Sequence, residues 1–141
     1  MKKLILIGRS ESGKTTLMQA LRGEEIHYAK TQYVDYSGVL IDTPGEYIQT
    51  KNLGGALAVY SYESDVIGLL ISATEPFSLF PPNIVSLATR EVIGIVTKID
   101  HPDANIPLAD LWLENAGCKK IFHVDSTHSV GVSDILEHLR G

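Results

Sequence analysis

The chain has 141 residues, which suits a single globular domain, and we expect one domain over residues 1–141. Hydrophobic residues make up 44% of the chain and charged residues 21%, a balance that argues against intrinsic disorder. The formal net charge is −5 and no basic stripe is present, which argues against a nucleic-acid-binding protein. A single cysteine allows neither an intramolecular disulfide nor a cysteine-held zinc site, and no apolar run approaches the roughly 18 residues of a membrane span. These properties fit a cytoplasmic protein.

The first part of the chain predicts a strand, a helix and a hairpin. The apolar run Lys3–Ile7 is typical of a strand that is buried on both faces of a parallel sheet. Apolar residues at helical spacing then predict a helix over Lys14–Leu21, which Gly23 ends. After a polar loop, the short strands Tyr33–Tyr36 and Val39–Asp42 flank a tight turn and predict a hairpin.

The rest of the chain alternates helices and strands. In chain order the patterns predict helix Lys51–Tyr60, strand Val66–Ser72, helix Asn83–Thr89, strand Glu91–Thr97, helix Leu108–Ala116, strand Lys120–Val124 and helix Val132–Leu139. Strands that alternate with helices imply βαβ crossovers. We therefore predict a three-layer α/β/α fold with a mostly parallel six-stranded sheet, in which the hairpin supplies one antiparallel edge strand. Ligands of such sheets bind at the carboxyl ends of the strands, where the motifs below all lie.

A glycine-rich loop follows the first predicted strand and opens the first predicted helix. Its sequence is Gly8-Arg9-Ser10-Glu11-Ser12-Gly13-Lys14-Thr15, which has the form G-x-x-x-x-G-K-[ST]. Glycines let the backbone N–H groups of such a loop turn inward around phosphates, and the helix N-terminus adds a positive dipole. We expect the loop and the next residue, Thr16, to bind a nucleoside triphosphate. Lys14 would contact the β- and γ-phosphates, and the Thr15 hydroxyl would bind Mg²⁺.

Polar residues around the predicted hairpin complete the expected phosphate site. Asp42, in Asp42-Thr43-Pro44-Gly45, ends a predicted strand and can hold Mg²⁺ through water, while the Gly45 N–H can meet the γ-phosphate. We interpret Thr31, in the preceding polar loop, as the threonine that closes over Mg²⁺ and the γ-phosphate; the alternative is a solvated loop residue. Glu46 follows Gly45 and can hydrogen-bond the attacking water, although its charge opposes the phosphates; the alternative is a surface carboxylate.

Two further segments predict the site for the base. Thr97-Lys98-Ile99-Asp100 follows a predicted strand, and the Asp100 carboxylate can accept hydrogen bonds from the N1–H and exocyclic amine of guanine. Adenine has an acceptor at N1 and would leave that carboxylate unpaired. The Lys98 stem can pack along the base. Ser126 and Thr127, after the last strand, offer backbone amides to the base. Thr97 stands where asparagine is commoner, which leaves the choice between GTP and ATP open.

The remaining chemistry-bearing residues carry no motif. The five histidines show no metal-ligand spacing, so we expect them to be loop or surface residues. We expect Cys118, beside Gly117, to be an inert small residue.

With its motifs in this order, the whole chain resembles a Ras-like P-loop GTPase domain, and more closely the EutP/PduV family of bacterial ethanolamine- and propanediol-utilisation proteins. The matching segments are Gly8 to Thr16, Lys30-Thr31-Gln32, Ile41-Asp42-Thr43-Pro44-Gly45-Glu46-Tyr47, and Thr97-Lys98-Ile99-Asp100 with Pro102-Asp103-Ala104. The resemblance implies a cytoplasmic, nucleotide-binding protein that is associated with bacterial microcompartments. It also implies ATP as an alternative to GTP, because an acetate kinase role has been proposed in this family.

Three functions therefore stay open. The first is a slow NTPase switch, in which a shell protein or a metabolic enzyme reads the loops around Thr31 and Glu46. The second is an acetate kinase-type phosphotransferase, since Lys14, Thr15 and Mg²⁺ can serve either reaction. The third is a non-catalytic localisation or scaffold module. We expect Mg²⁺ with GTP or ATP as cofactors, and neither nucleic acid nor a membrane as a partner.

Overall fold

A computed structural model of the chain describes residues 4–8, 16–21, 23, 62, 64–75, 78, 80, 82–128 and 130–140. Within these ranges the elements are strand β1 (Leu4–Ile7), helix α1 (16–21), strand β2 (Val66–Ser72), a 3₁₀ turn (Ile84–Leu87), strand β3 (Glu91–Thr97), helix α2 (Ile106–Ala116), strand β4 (Ile121–His123) and helix α3 (Val132–Arg140). The predicted hairpin strands and the predicted helix Lys51–Tyr60 lie outside the described residues. The predicted number of six strands and the predicted antiparallel edge strand therefore stay predictions.

The four described strands form one parallel sheet in the order β1-β2-β3-β4. Leu4 lies opposite Val66 at the start of β1 and β2, and Val66 in turn lies opposite Glu91 at the start of β3. Gly94, at the middle of β3, lies opposite Ile121 of β4. Each strand is reached from the previous one by a crossover, so all four carboxyl ends meet at one edge, as the alternation of elements predicts.

Helices cover both faces of this sheet. All residues of β1 and β2 are buried, which explains why their sequences are continuous apolar runs. On one face the sheet packs against apolar residues of α1 and α3, which include Leu17, Leu21, Ile135, Leu136 and Leu139. On the other face it packs against the α2 residues Ala109, Leu113 and Ala116. The described part of the chain therefore has the predicted three layers.

Helix α2 begins earlier than its apolar spacing predicts. It runs from Ile106 instead of Leu108, because the Asn105 side chain caps it by accepting a hydrogen bond from the Leu108 N–H at 3.2 Å. Proline in the first turn is compatible with a helix start, since its missing N–H would have no partner there. None of the helices in the described ranges has the length and apolarity that a membrane span needs.

Two other predicted elements are shorter in the structure. The segment predicted as helix Asn83–Thr89 is a 3₁₀ turn over Ile84–Leu87, because Asn83 is left-handed with φ 61° and Ala88 is extended. Strand β4 covers Ile121–His123, whereas the apolar pattern predicts Lys120–Val124. The flanking residues still bond to β3, since the Lys120 carbonyl accepts from Gly94 N–H and the Val124 N–H donates to Val96, both at 2.8 Å.

Cys118 lies in the core beside α2. Its side chain is buried, and burial raises the pKa of the thiol to about 12. The thiol therefore stays protonated at neutral pH, which agrees with its interpretation as an inert small residue.

A substitution at Gly94 of β3 tests how closely this strand packs against α2. A Cβ at this position would lie 2.9 Å from Leu113 Cδ1 and 3.2 Å from Leu113 Cβ. We expect Gly94→Ala to lower the free energy of unfolding by about 1–3 kcal/mol, because the extra methyl overpacks this contact. Urea denaturation followed by circular dichroism measures the change.

Gly23→Ala is the matched control for this substitution. A Cβ at Gly23 meets no atom within 4 Å, so the same chemical change should leave the free energy of unfolding unchanged or slightly raised. Equal stability of the two variants would show that β3 and α2 do not pack as described.

Candidate functional site

A cavity of about 90 Å³ lies beyond the carboxyl ends of β3 and β4. Its lining comes from α1, from the loop after β3 and from the loop after β4, and consists of Thr16, Thr97, Lys98, Asp100, Asp125, Ser126 and Thr127. All of these except Asp125 are residues for which the sequence predicts nucleotide binding. The volume is below the roughly 300–1,000 Å³ of a typical small-molecule pocket, so the cavity by itself has room for only part of such a ligand.

A tight turn orders the loop after β3 and positions its side chains. Thr97 is buried, and its carbonyl accepts a hydrogen bond from Ala73 N–H at 2.8 Å, which ties the end of β3 to the end of β2. Lys98 has a left-handed backbone with φ 57°, a conformation that costs a non-glycine residue roughly 1–3 kcal/mol. The Lys98 carbonyl accepts from His101 N–H at 3.1 Å. This turn presents the Asp100 side chain with 51% of its surface exposed.

The loop after β4 is organised by Asp125. Its backbone N–H and carbonyl pair with those of Val130, at 3.0 Å and 2.9 Å, and close the loop on itself. Its carboxylate Oδ1 accepts from the Thr127 N–H at 3.2 Å and from the His128 N–H at 3.4 Å. These bonds form an Asx turn, a local structure that aspartate favours. The turn places Ser126 and Thr127 in the wall of the cavity.

Gly131 joins this loop to helix α3. Its φ is 78°, and a Cβ there would lie 2.2 Å from the His123 carbonyl oxygen of β4. Only glycine fits both the left-handed conformation and this close approach. The loop after β4 can therefore return to the sheet within a few residues and start α3 at Val132.

His128 links the two loops electrostatically. Its Nδ1 donates a hydrogen bond to Asp125 Oδ2 and lies 3.9 Å from Asp100 Oδ2. Burial by itself raises the pKa of the Asp125 carboxyl, but the bonds from His128 and Thr127 and the charge of His128 outweigh burial, so its pKa is lowered. The hydrogen bond to Asp125 and the charge of Asp125, with a smaller effect of Asp100, raise the pKa of His128.

The same three side chains have donor atoms within 4.8 Å of one another, a spacing that could suit a metal ion. The imidazole Nδ1 is bonded to Asp125, and both His128 and Asp100 are exposed. We interpret the group as a hydrogen-bonded charge cluster, since exposed carboxylates and imidazoles commonly pair in this way.

Sequence reasoning did not predict roles for Asp125 and His128. The usable signal was local: an aspartate directly after a strand, followed two residues later by threonine and three residues later by histidine, is a pattern typical of an Asx turn. The approach of His128 to Asp100 joins segments that are distant in sequence, and only the fold brings them together.

The predicted phosphate site lies almost wholly outside the described residues. This applies to Arg9, Ser10, Glu11, Ser12, Gly13, Lys14, Thr15, Thr31, Asp42, Gly45 and Glu46, whose roles stay predictions. Gly8 is buried and directly follows β1, and Thr16 belongs to α1. The strand and the helix that the motif requires on either side of the loop are therefore present.

Comparison with known proteins gives the family of the chain. A model of the family described as "Ethanolamine utilisation - propanediol utilisation" (PduV-EutP) matches residues 1–141. The chain belongs to this family. It is 42% identical over 136 residues to "Propanediol utilization protein PduV" of Citrobacter freundii, covering 96% of this chain and 91% of that protein. It is 30% identical over 142 residues to "Probable acetate kinase EutP" of Escherichia coli (strain K12), covering 99% and 89%.

A more distant similarity extends to GTPases. The chain is 25% identical over 154 residues to "GTPase Der" of Ligilactobacillus salivarius (strain UCC118), which covers 95% of this chain and 35% of that protein. This similarity fits a P-loop NTPase fold, and so does the parallel sheet with helices on both faces. The predicted family and the α/β class with a parallel sheet are therefore confirmed.

The pair of Asp125 and His128 makes stability depend on pH. The raised pKa of His128 adds stability that is fully present below its ordinary pKa of 6.5 and is lost as pH rises through the raised pKa. The lowered pKa of Asp125 adds stability that is present above 3.8 and is lost as pH falls through the lowered pKa. The pair should therefore stabilise the fold most between pH 3.8 and pH 6.5.

Asp125→Asn removes this charge while its amide oxygen can still accept the N–H groups of Thr127 and His128. We expect the wild-type imidazole of His128 to titrate above 6.5 in an NMR titration, and the variant imidazole to titrate closer to 6.5. Urea denaturation at several pH values should give a stability difference between the proteins that shrinks above that window. A His128 titration that is identical in both proteins would contradict the ion pair.

Proposed function

We propose that the chain binds a nucleoside triphosphate, with the base in the cavity beyond β3 and β4 and the phosphates at the loop after β1. The cavity itself carries this proposal: it gathers Thr97, Lys98 and Asp100 with Ser126 and Thr127, and Thr16 of the helix that the phosphate motif opens. In parallel α/β sheets, ligands bind at this edge. The similarity to GTPase Der also supports nucleotide binding by this chain.

Guanine suits this cavity better than adenine. The exposed Asp100 carboxylate can accept hydrogen bonds from guanine N1–H and the exocyclic amine, and Lys98 on the same loop can cover the base with its stem. The N–H groups of Thr127 and His128 donate to Asp125. We therefore assign the Ser126 N–H to the exocyclic oxygen of guanine, an atom that adenine replaces with an amine. GTP is the proposed ligand on these grounds.

The phosphate side of the proposal rests on the sequence motifs. Lys14 would contact the β- and γ-phosphates, and Gly45 the γ-phosphate. Mg²⁺, which neutralises phosphate charge in such sites, would be held by Thr15, Thr31 and Asp42. The sequence motifs supply no arginine for the γ-phosphate other than Arg9, within the loop after β1. We therefore expect intrinsic hydrolysis to be slow, at roughly 10⁻⁴ to 10⁻² s⁻¹.

We propose that the nucleotide makes the chain a switch. Thr31 and Glu46 flank the γ-phosphate in the predicted site, so their loops would change when it is lost. The partner that reads them would be a microcompartment shell protein or a metabolic enzyme of ethanolamine or propanediol utilisation, in keeping with the family. The chain would then act in the cytoplasm, at or near the microcompartment.

Calorimetric titration of the purified chain with GTP and with ATP, each with Mg²⁺, tests the base assignment. We expect tighter binding of GTP, and we expect Asp100→Ala to weaken GTP binding by roughly 10- to 100-fold, because hydrogen bonds to a charged group are worth about 1.5–3 kcal/mol. Binding of ATP should change much less. Lys14→Ala should abolish binding of both nucleotides.

Asp103→Ala is the matched control, since Asp103 is an exposed carboxylate on the same segment that does not line the cavity. It should bind GTP as the wild type does. An Asp100→Ala variant that keeps the wild-type preference for GTP would refute the base assignment. A wild-type chain that binds neither nucleotide would favour the scaffold or localisation module.

Acetate kinase activity is the second candidate, because the chain is 30% identical, over 99% of its length, to a relative named "Probable acetate kinase EutP". In that reaction a carboxylate oxygen of acetate attacks the γ-phosphorus of ATP, the bond to the bridging oxygen breaks, and acetyl phosphate and ADP result. Lys14 would neutralise charge on the transferred group.

Acetyl phosphate measured as its hydroxamate distinguishes this reaction from hydrolysis. As a slow switch, the chain should release phosphate from GTP at a rate that acetate does not change, and it should form no acetyl phosphate from ATP. If the chain forms acetyl phosphate only when acetate is present, and Lys14→Ala abolishes this product, the function is acetate kinase activity and the switch proposal is wrong.

A further inference from the structure

Two carboxylates approach one small cavity. Asp125 lines it from the loop after β4, with its side chain 8% exposed, and Asp100 lines it from the loop after β3. Two carboxylates that share a site repel each other, so the more exposed Asp100 side chain would turn away from the cavity if nothing opposed the charge of Asp125.

Recognition of guanine by Asp100 depends on where its carboxylate points. Guanine presents two donors, N1–H and the exocyclic amine, to the Asp100 side chain of the proposed site. A carboxylate accepts both. The proposed base recognition therefore needs the Asp100 carboxylate to face the base despite the charge of Asp125 nearby.

The His128 imidazole supplies the opposing charge. Its Nδ1–H bonds to Asp125 Oδ2, while the same nitrogen is 3.9 Å from Asp100 Oδ2, beyond hydrogen-bond distance. His128 therefore donates to Asp125 and does not occupy the Asp100 oxygen that it approaches. The charged groups that line the cavity beside the imidazole are Asp125 on its own turn, and Asp100 and Lys98 on the loop after β3.

We propose that His128 is the positioning residue of the base site: as an imidazolium it cancels the charge of Asp125, so that the Asp100 carboxylate is not repelled and can face the base. This inference rests on the proposed nucleotide site. It assigns His128 an indirect role, since the imidazole acts through Asp125 and not by touching the base. The upward shift of the His128 pKa agrees with an imidazole that holds its proton next to two carboxylates.

Base selectivity in a double-mutant cycle tests the proposal. The probes are GDP and ADP, each with Mg²⁺, titrated into the wild type, His128→Ala, Asp125→Asn and the double variant. We expect His128→Ala to weaken GDP binding about three- to tenfold, because the uncompensated charge of Asp125 then repels Asp100. Binding of ADP should change little.

Asp125→Asn in the His128→Ala background should restore GDP binding to within about twofold of the wild type, because no unpaired charge then faces Asp100. Asparagine keeps the oxygen that accepts the Thr127 N–H, so the turn is retained. A purely structural role of His128 predicts no such rescue and an equal loss for both nucleotides.

The pH profile gives a second readout. GDP binding by the wild type should weaken as pH rises through the raised pKa of His128, and binding by the double variant should not. Should His128→Ala fail to fold, His128→Gln serves instead, because its amide can bond to Asp125 without carrying charge and should lose GDP affinity in the same way.

The outcomes separate this inference from the function on which it rests. Wild-type affinity for GDP in His128→Ala, or a loss that Asp125→Asn does not rescue, would overturn the role of His128 and leave the nucleotide site intact. A wild-type chain that binds no nucleotide would overturn both.

Discussion

The pairing of β2 with β3 supports the rest of the described structure. The two strands are hydrogen-bonded in register along seven residues each, from Val66 opposite Glu91 to Ser72 opposite Thr97. The pairing is parallel and nearly every side chain in it is buried, so a shift by one residue would send a whole set of apolar side chains to the wrong layer. Because the register is fixed this firmly, Thr97 ends β3 at a defined height, and the loop that carries Asp100 starts from it.

The same constraint places the second loop of the cavity. β4 pairs with β3 over only three residues, yet its direction is set by β3, and the Val124 N–H extends the bonding to Val96. Asp125 follows at once and folds the chain back through its Asx turn. The cavity is therefore built from short loops on long, buried strands, an arrangement in which a rigid scaffold positions polar groups.

Sequence patterns predicted the buried strands well because burial on both faces leaves an uninterrupted apolar run. The ends of β2 and β3 were predicted without error, at Val66–Ser72 and Glu91–Thr97. Prediction was weaker where one side chain decides the boundary, as at Asn105, whose cap starts α2 before the first apolar position. Most residues that line the cavity beyond β3 and β4 were predicted from their motifs. The contact of His128 with Asp100 was not, because periodicity carries no information about which loops meet.

Gly131 has a consequence for how this protein can vary. The carbonyl oxygen of His123 occupies the space that any Cβ at position 131 would need, and the backbone there is left-handed. Both conditions exclude every other amino acid unless β4 moves away from the loop. The neighbouring loop, by contrast, presents exposed side chains such as Thr127 and Val130. A mutational library that diversifies this loop to alter ligand preference must therefore keep glycine at position 131 and vary the residues before it.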